Sequence, residues 1–161
     1  MIKIRQVTEA DHTNISVLVV TVFRQPSESK LITALRDGGH VAVEMVAEDE
    51  GGLVGHICLS RLAAPEGWLA LAPLSVRTEA QGRGIGAELV RYAADRARQA
   101  RFKAVVVVGD PDYYHRFGFV FRGPAKLQSP YPPQYTGLYP IAAETAAAQA
   151  QLVYPEAFAT V

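Results

Sequence analysis

The feature that most constrains the fold is an apolar segment followed by a glycine-rich turn and an amphipathic segment. Residues 71–76 are typical of a strand, residues 81–86 carry three alternating glycines, and residues 85–100 repeat apolar side chains at helical spacing. A strand, turn and helix in this order point unpaired backbone N–H groups and the positive end of a helix dipole at an anion. The segment therefore predicts a site for a phosphate-bearing ligand.

Two other kinds of phosphate-binding loop do not fit this spacing. A mononucleotide-binding loop needs Gly-Lys-Ser/Thr at the entrance to the helix, and no such triplet occurs in the sequence. The dinucleotide-binding pattern needs its third glycine three residues after the second, whereas Gly82, Gly84 and Gly86 are spaced two and two. For the segment taken alone, a turn that merely joins strand to helix stays open as an alternative.

Composition narrows the class of protein. The 161 residues, 49% hydrophobic and 20% charged, fit one globular domain spanning residues 1–161. Sixteen basic and sixteen acidic residues cancel, so we expect no nucleic-acid or membrane partner. With one cysteine, Cys58, no signal-peptide pattern and no apolar run long enough to span a membrane, we expect a cytoplasmic protein.

Hydrophobic periodicity predicts strands and helices in the first half of the chain. A strand near residues 2–7 comes first, and helices before and after Pro26 follow it. Strands over residues 40–48, 53–62 and 68–76, with short turns between them, predict an antiparallel meander.

The second half begins with the helix over residues 85–100. The apolar run at residues 104–108 predicts a buried strand parallel to the third meander strand. A short helical turn and strands at 119–121 and 138–142 follow, whereas the alanine-rich residues 142–152 fit either a helix or another strand.

This order of elements, together with two motifs, resembles the GNAT superfamily of N-acetyltransferases. Gln81, Gly84 and Gly86 fill the fixed positions of its acyl-CoA motif, Q/R-x-x-G-x-G/A. Residues 113–119 match a second motif, F-Y-x-x-x-G-F, with Tyr113 in place of its phenylalanine. The G-D-P-x-Y-Y pattern that begins at Gly109 is similar to a branch of small bacterial members.

The resemblance implies an α/β (α+β) fold, in which a mixed sheet of six or seven strands splays at the acyl-CoA cleft and about four helices flank it. It also implies an enzyme that transfers acetyl from acetyl-CoA to a primary amine by direct attack in a ternary complex. The acceptor would be a small-molecule or peptide amine, and the family's frequent dimerisation leaves a homodimer open. We expect no metal, because the four histidines lack ligand spacing.

The resemblance places the donor around the glycine turn. Backbone N–H groups of the turn would bind pyrophosphate, the main chain of residues 74–76 would pair with pantetheine, and Pro73 fits a bulge that opens the cleft. Two arginines of this region would add positive charge. The predicted cofactor-binding residues are Leu74, Ser75, Val76, Arg77, Gln81, Gly82, Arg83, Gly84, Ile85, Gly86 and Tyr114.

Three residues are predicted to act in catalysis. Tyr114 is the expected general acid, because a phenol of pKa near 10 can protonate a thiolate of conjugate pKa about 8.5 at a cost of about 2 kcal/mol. The backbone N–H of Leu74 is the expected oxyanion donor. Asp110, after the buried strand, is the expected base. Further candidates for the base are Ser75, Glu44, His56, Glu66 and His115.

The acceptor is expected to lie between residues 23–28 and residues 131–135, where Glu28 would attract an amine. The alternative function is a catalytically silent acyl-CoA-binding or sensing module, which keeps the glycine turn but lacks a base. A Cys-His nucleophile is not expected, because Cys58 lies among apolar neighbours.

Overall fold

The computed structural model describes residues 1–160. Its strands are β1 (Lys3–Gln6), β2 (Val41–Asp49), β3 (Gly52–Arg61), β4 (Trp68–Val76), β5 (Ala104–Val108), β6 (Val120–Phe121), β7 (Lys126–Gln128), β8 (Thr136–Pro140) and β9 (Gln149–Gln151). In this described part, seven strands form one mixed sheet in the order β1-β2-β3-β4-β5-β8-β6, and β7 pairs with β9 separately. The antiparallel meander β2-β3-β4 and the parallel pair β4-β5 were both predicted, and both are confirmed.

Helices cover both faces of the sheet. They are α1 (His12–Phe23), α2 (Ser27–Asp37), α3 (Ile85–Gln99) and the single turn α4 (Pro111–Tyr114). Ile57 of β3 packs in the cluster that includes Leu89 of α3, whereas Val46 of β2 packs with Leu18 of α1 on the opposite face. The sheet is therefore buried on both sides, as the expected mixed α/β fold requires. Within residues 1–160, no helix is long and apolar enough to cross a membrane.

A bulge interrupts the pairing of β3 with β4. Leu59 lies opposite Leu71 and Ile57 lies opposite Leu74, so Ala72 and Pro73 together face a single residue of β3. Proline has no N–H to give to the ladder, which explains why it occupies the extra position. The bulge predicted from Pro73 is present.

The pairing of β4 with β5 ends close to this bulge. The last paired residues are Leu71 and Val107, yet β4 continues to Val76 along β3. In the described chain, the β5-facing edge of β4 beyond Leu71 therefore has no partner strand. A wedge-shaped cleft opens between the two strands, as expected for a splayed sheet.

The C-terminal third differs in detail from the expectation. Residues 142–152, which the sequence left undecided, form a 3-10 helix over Ala143–Ala147 and then β9. The Thr145 hydroxyl donates to the carbonyl of Ala142 at 2.6 Å, which holds the tight turn. The last sheet strand begins at Thr136, two residues earlier than predicted.

A buried ionic cluster joins α2 to β2 and β3. Arg36 Nε donates to Glu44 Oε1 at 3.1 Å, and His56 Nε2 lies 2.7 Å from Glu44 Oε2. Burial lowers the pKa of His56, although the hydrogen bond to Glu44 opposes this. Burial also raises the pKa of Glu44, but hydrogen bonds from His56 and Arg36 outweigh it and lower that pKa to about 2. A neutral His56 therefore donates Nε2–H to an ionised Glu44.

The free energy of unfolding is expected to fall through two pH windows as acid is added. Unfolded His56 binds a proton near pH 6.5 and unfolded Glu44 near pH 4.5, whereas the folded groups bind theirs at lower pH, about 2 for Glu44. In both windows the unfolded chain holds more protons, so stability decreases with falling pH. Urea unfolding at successive pH values checks this. Glu44→Gln should flatten the profile below pH 4.5, and a profile parallel to that of the unaltered protein would contradict the account.

Candidate active site

A cavity of about 530 Å³ lies between the free edge of β4, the glycine turn, the end of α1 and α4. It is lined by Val22, Phe23, Leu74, Val76, Gln81, Gly82, Gly84, Ile85, Gly86, Ala87, Tyr113 and Arg116. We call it the donor cavity. Seven of the predicted cofactor-binding residues line it, and Ser75 alternates to the buried side of β4 between two of them.

The glycine turn presents backbone amides to the donor cavity. Gly82 and Gly84 have φ of +81° and +79°, a left-handed conformation that favours glycine. Gly84 is the N-cap of α3, and its carbonyl accepts the first helical hydrogen bond from the Glu88 N–H at 3.0 Å. The N–H groups of residues 85–87 have no acceptor within the helix, so they are free to bind an anion.

Gly86 is required for a different reason, the close approach of Tyr113. A Cβ at position 86 would lie 2.5 Å from the Tyr113 hydroxyl oxygen and 3.8 Å from its Cζ. Tyr113 cannot easily move, because Tyr114 and Phe117 pack edge-on against its ring at 5.0 and 5.3 Å. The second motif therefore packs directly on the first, which explains why both occur in one chain.

Arg116 is a site residue that the sequence reasoning missed. Its guanidinium lies 4.5 Å from the centre of the Tyr113 ring, and its Nε donates to the Tyr113 carbonyl at 3.1 Å. Among the described residues that line the donor cavity, it is the sole charged side chain. The available signal was its position three residues after Tyr113 in a helical turn, which places it on the same side.

Two predicted donor-site residues donate to backbone carbonyls. Arg77 donates to the Leu53 carbonyl at 2.8 Å, and Gln81 Nε2 donates to the Val76 carbonyl at 3.0 Å. Gln81 thus ties the glycine turn to the end of β4. Arg83 is exposed on the turn, where its charge is available to a bound anion.

A second cavity, of about 360 Å³, opens on the other side of Leu74. We call it the acceptor chamber. It is lined by Phe23, Glu28, Leu31, Ala70, Leu71, Ala72, Pro73, Leu74, Val106, Val108, Tyr114, Tyr131, Tyr154 and Phe158. Phe23 and Leu74 line both cavities, so the two spaces meet at the bulge. The predicted acceptor residues Phe23, Glu28 and Tyr131 are among those that line the chamber.

Tyr114, predicted to bind the donor, lines the acceptor chamber together with Leu74 and does not line the donor cavity. Its ring packs edge-on against Phe119 at 5.7 Å, and a Cβ at Gly109 would approach the ring to 2.7 Å. In the described chain its hydroxyl has no hydrogen-bond partner. Burial, with a smaller contribution from Tyr113, raises the pKa of Tyr114 well above its usual range. The phenol is therefore protonated throughout the neutral range.

The residues predicted as candidate bases do not line either cavity. Asp110 is exposed, lines neither cavity and accepts from the Asp112 N–H at 3.0 Å, so its carboxylate caps α4. Glu44 and His56 are occupied by the ionic cluster, and Ser75 is buried with no partner for its hydroxyl in residues 1–160. Glu66 and His115 also lie outside both cavities. Of the described residues that line either cavity, Glu28 carries the one carboxylate.

No three His, Cys, Asp or Glu side chains of the described residues come together in a group that could hold a metal ion. The chemistry that these cavities support thus depends on backbone amides, phenols, Arg116 and Glu28.

Replacing Gly86 by alanine is expected to lower the free energy of unfolding by about 1–3 kcal/mol, because the new methyl group overpacks against the Tyr113 hydroxyl. In the double variant Gly86→Ala/Tyr113→Phe, the nearest ring carbon lies at ordinary contact distance, so stability should return to that of Tyr113→Phe alone. Urea unfolding measures both variants. Gly51→Ala, in an exposed turn where a Cβ meets only ordinary contact, is the matched control. Independent, additive losses in the double variant would contradict the packing.

Comparison with known proteins identifies a family. Residues 8–119 match the sequence profile of the acetyltransferase (GNAT) family. An uncharacterised N-acetyltransferase of Escherichia coli K12, YhbS, is 34% identical over 113 residues, covering 68% of this chain and 68% of YhbS.

Two solved structures are similar along nearly the whole chain. The crystal structure of YhbS from Escherichia coli in complex with CoA has a TM-score of 0.91 and 27% identity, covering 98% of this chain and 92% of that one. A GNAT-family acetyltransferase from Brucella melitensis, in complex with acetyl-CoA, has a TM-score of 0.83 and 29% identity, covering 98% of both chains.

Proposed function

The chain belongs to the acetyltransferase (GNAT) family, and we propose that it transfers an acetyl group from acetyl-CoA to a primary amine by direct attack in a ternary complex. The observation that carries this proposal is the meeting of the donor cavity and the acceptor chamber at Leu74, with the partly buried phenol of Tyr114 in the lining of the chamber. The complexes of the similar proteins with CoA and acetyl-CoA support the choice of donor.

The donor would lie along β4. Its pyrophosphate would accept hydrogen bonds from the free amides of residues 82–87, with Arg83 and Arg116 supplying positive charge. The unpaired edge of residues 74–76 would bind the pantetheine amides as an added strand. The thioester would then reach the junction of the two cavities, where the Leu74 N–H is the proposed oxyanion donor.

The reaction begins with the acceptor ammonium losing one proton. The free amine attacks the thioester carbonyl, so a C–N bond forms and the C–S bond breaks after a tetrahedral intermediate. Tyr114 gives its proton to the departing thiolate and regains one from the positively charged nitrogen that the attack creates, which leaves the neutral amide. The net result is one amide, one CoA thiol and one released proton.

Deprotonating the acceptor is the costly step. An amine with pKa near 10.4 is about three units from neutral at physiological pH, which costs roughly 4–5 kcal/mol. Asp110 stays a candidate base acting through water, and Glu28 is the carboxylate that lines the chamber. Burial raises the pKa of the Tyr114 phenol, but it would also raise that of a thiolate held beside it, so the difference between them governs proton transfer.

Tyr114→Phe is expected to lower kcat by about 10²-fold, the usual loss for a general acid, with KM for acetyl-CoA changed less than about 2-fold. Thiol release from acetyl-CoA at saturating amine measures both constants. Tyr92→Phe, on the exposed face of α3, is the matched control and should retain full activity. If Tyr114→Phe keeps the original kcat at every pH, another group is the acid.

The alternative function is a catalytically silent acyl-CoA-binding or sensing module. It is favoured by one observation, that no described carboxylate or histidine lines the donor cavity. Calorimetry with acetyl-CoA, followed by thiol release across a panel of amines, separates the two functions. Tight binding without turnover for any amine would support the sensor.

A further inference from the structure

We propose that the acceptor chamber selects a small primary amine that carries an aromatic or other apolar group and no carboxylate. This inference rests on the proposed function, since it concerns the amine that the acetyl group reaches. It goes beyond that function because it names the substituent, which acetyl transfer itself leaves open.

The first argument is the aromatic character of the chamber walls. Five rings line it, those of Phe23, Tyr114, Tyr131, Tyr154 and Phe158. At the C-terminal end, Tyr154 packs edge-on with Tyr131 at 5.0 Å and with Phe158 at 5.1 Å. These rings hold one another in fixed positions, so a flat apolar group entering the chamber meets pre-arranged ring faces and edges.

The second argument is the sign of the charge. Glu28 is the sole ionisable acid or base among the described lining residues other than the three phenols. Gln25 Nε2 donates to both of its carboxylate oxygens at 3.0 Å, and the Ser27 hydroxyl donates to Oε1 at 3.1 Å. These three bonds orient the carboxylate at the start of α2. An ammonium group is the ligand charge that such a site attracts.

The charge of the chamber lining also disfavours amines that carry a carboxylate or a second ammonium group. Within the described lining there is no lysine, arginine or histidine, so a substrate carboxylate would lose its hydration without gaining a cation. A polyamine would bring a second ammonium that has no second carboxylate to meet. The volume of about 360 Å³ lies at the small end of ligand sites, which suits a single small molecule better than a peptide.

The two ends of the chamber fix the direction of the bound amine. Leu74 and Phe23 line the end that meets the donor cavity, so the nitrogen must lie there to reach the thioester. Tyr131, Tyr154 and Phe158 line the chamber but not the donor cavity, as do Glu28 and Tyr114, and these three rings form one packed group. The apolar substituent therefore extends toward the C-terminal rings, away from the reacting atoms.

The Tyr154 hydroxyl adds a polar feature to that end. It is buried and forms no hydrogen bond of normal geometry with the described residues, although Ser129 lies near it. Burial raises its pKa to about 12, so it is a neutral phenol. Because this oxygen is sealed from solvent, a hydroxyl on the substrate ring reaches it only if the Tyr154 ring shifts, and tyramine in the test panel reports that contact.

The test is acetyl-CoA-dependent thiol release with matched amines. 2-Phenylethylamine and phenylalanine differ only by the α-carboxylate, and we expect kcat/KM to be at least about 10²-fold higher for the amine without it. Tyramine should match or exceed 2-phenylethylamine, whereas ethanolamine, spermidine and a peptide with a free N-terminus should be poor substrates. Mass spectrometry of the products confirms acetylation of the amine.

A variant isolates the role of Glu28. Glu28→Gln is expected to raise KM for 2-phenylethylamine about 10-fold while leaving KM for acetyl-CoA unchanged. Glu144→Gln, an exposed residue outside the chamber, is the matched control and should change neither constant.

The outcomes distinguish this inference from the proposed function. Preference for phenylalanine, spermidine or the peptide would overturn the inference while leaving amine acetylation intact. An unchanged KM in Glu28→Gln would likewise overturn the role of its carboxylate. Thiol release with none of the amines, despite binding of acetyl-CoA, would overturn both the inference and the proposed function.

Discussion

The structure depends on strand β4, which keeps β3 as a partner along its length but loses β5 as a partner beyond Leu71. Leu69 to Leu71 of β4 are paired on both sides, as the centre of a sheet requires. The extra residue at the bulge, where proline has no N–H to donate, shifts the register against β3 just as the pairing with β5 ends. Beyond this point the edge of β4 is open, and both cavities lie against it.

The remaining elements of the site are positioned by this opening. α3 follows β4 after the glycine turn, and the first residues of α3 line the donor cavity. Tyr113 packs on Gly86 and so brings the second motif beside the first. The end of α1 and the start of α2 contribute Phe23 and Glu28 to the wall of the acceptor chamber. The donor cavity and the acceptor chamber therefore share Phe23 and Leu74, so the proposed direct transfer needs no large movement between them.

Local sequence patterns were enough to predict the glycine turn, the meander, the parallel pair and the bulge, because each of these features depends on residues that are close in the chain. The pairing of β7 with β9 was missed, because each strand has only three residues and its partner lies more than twenty residues away. Arg77 was predicted from its position beside the glycine turn, but the Leu53 carbonyl that it binds is distant in the sequence, so this contact depends on the tertiary fold. Gln81 and Asp110 bind backbone groups close to them in the chain. The C-terminal rings of the acceptor chamber likewise come together only through long-range packing.

The central claim is that the thioester lies at the unpaired edge of β4, where the two cavities meet. A crystal structure of the protein with acetyl-CoA tests it most directly. The account predicts pantetheine along residues 74–76, pyrophosphate on the amides of residues 82–87, and the acetyl oxygen within hydrogen-bond distance of the Leu74 N–H. An acetyl group directed away from Leu74 and Tyr114, or a donor bound outside the donor cavity, would contradict it.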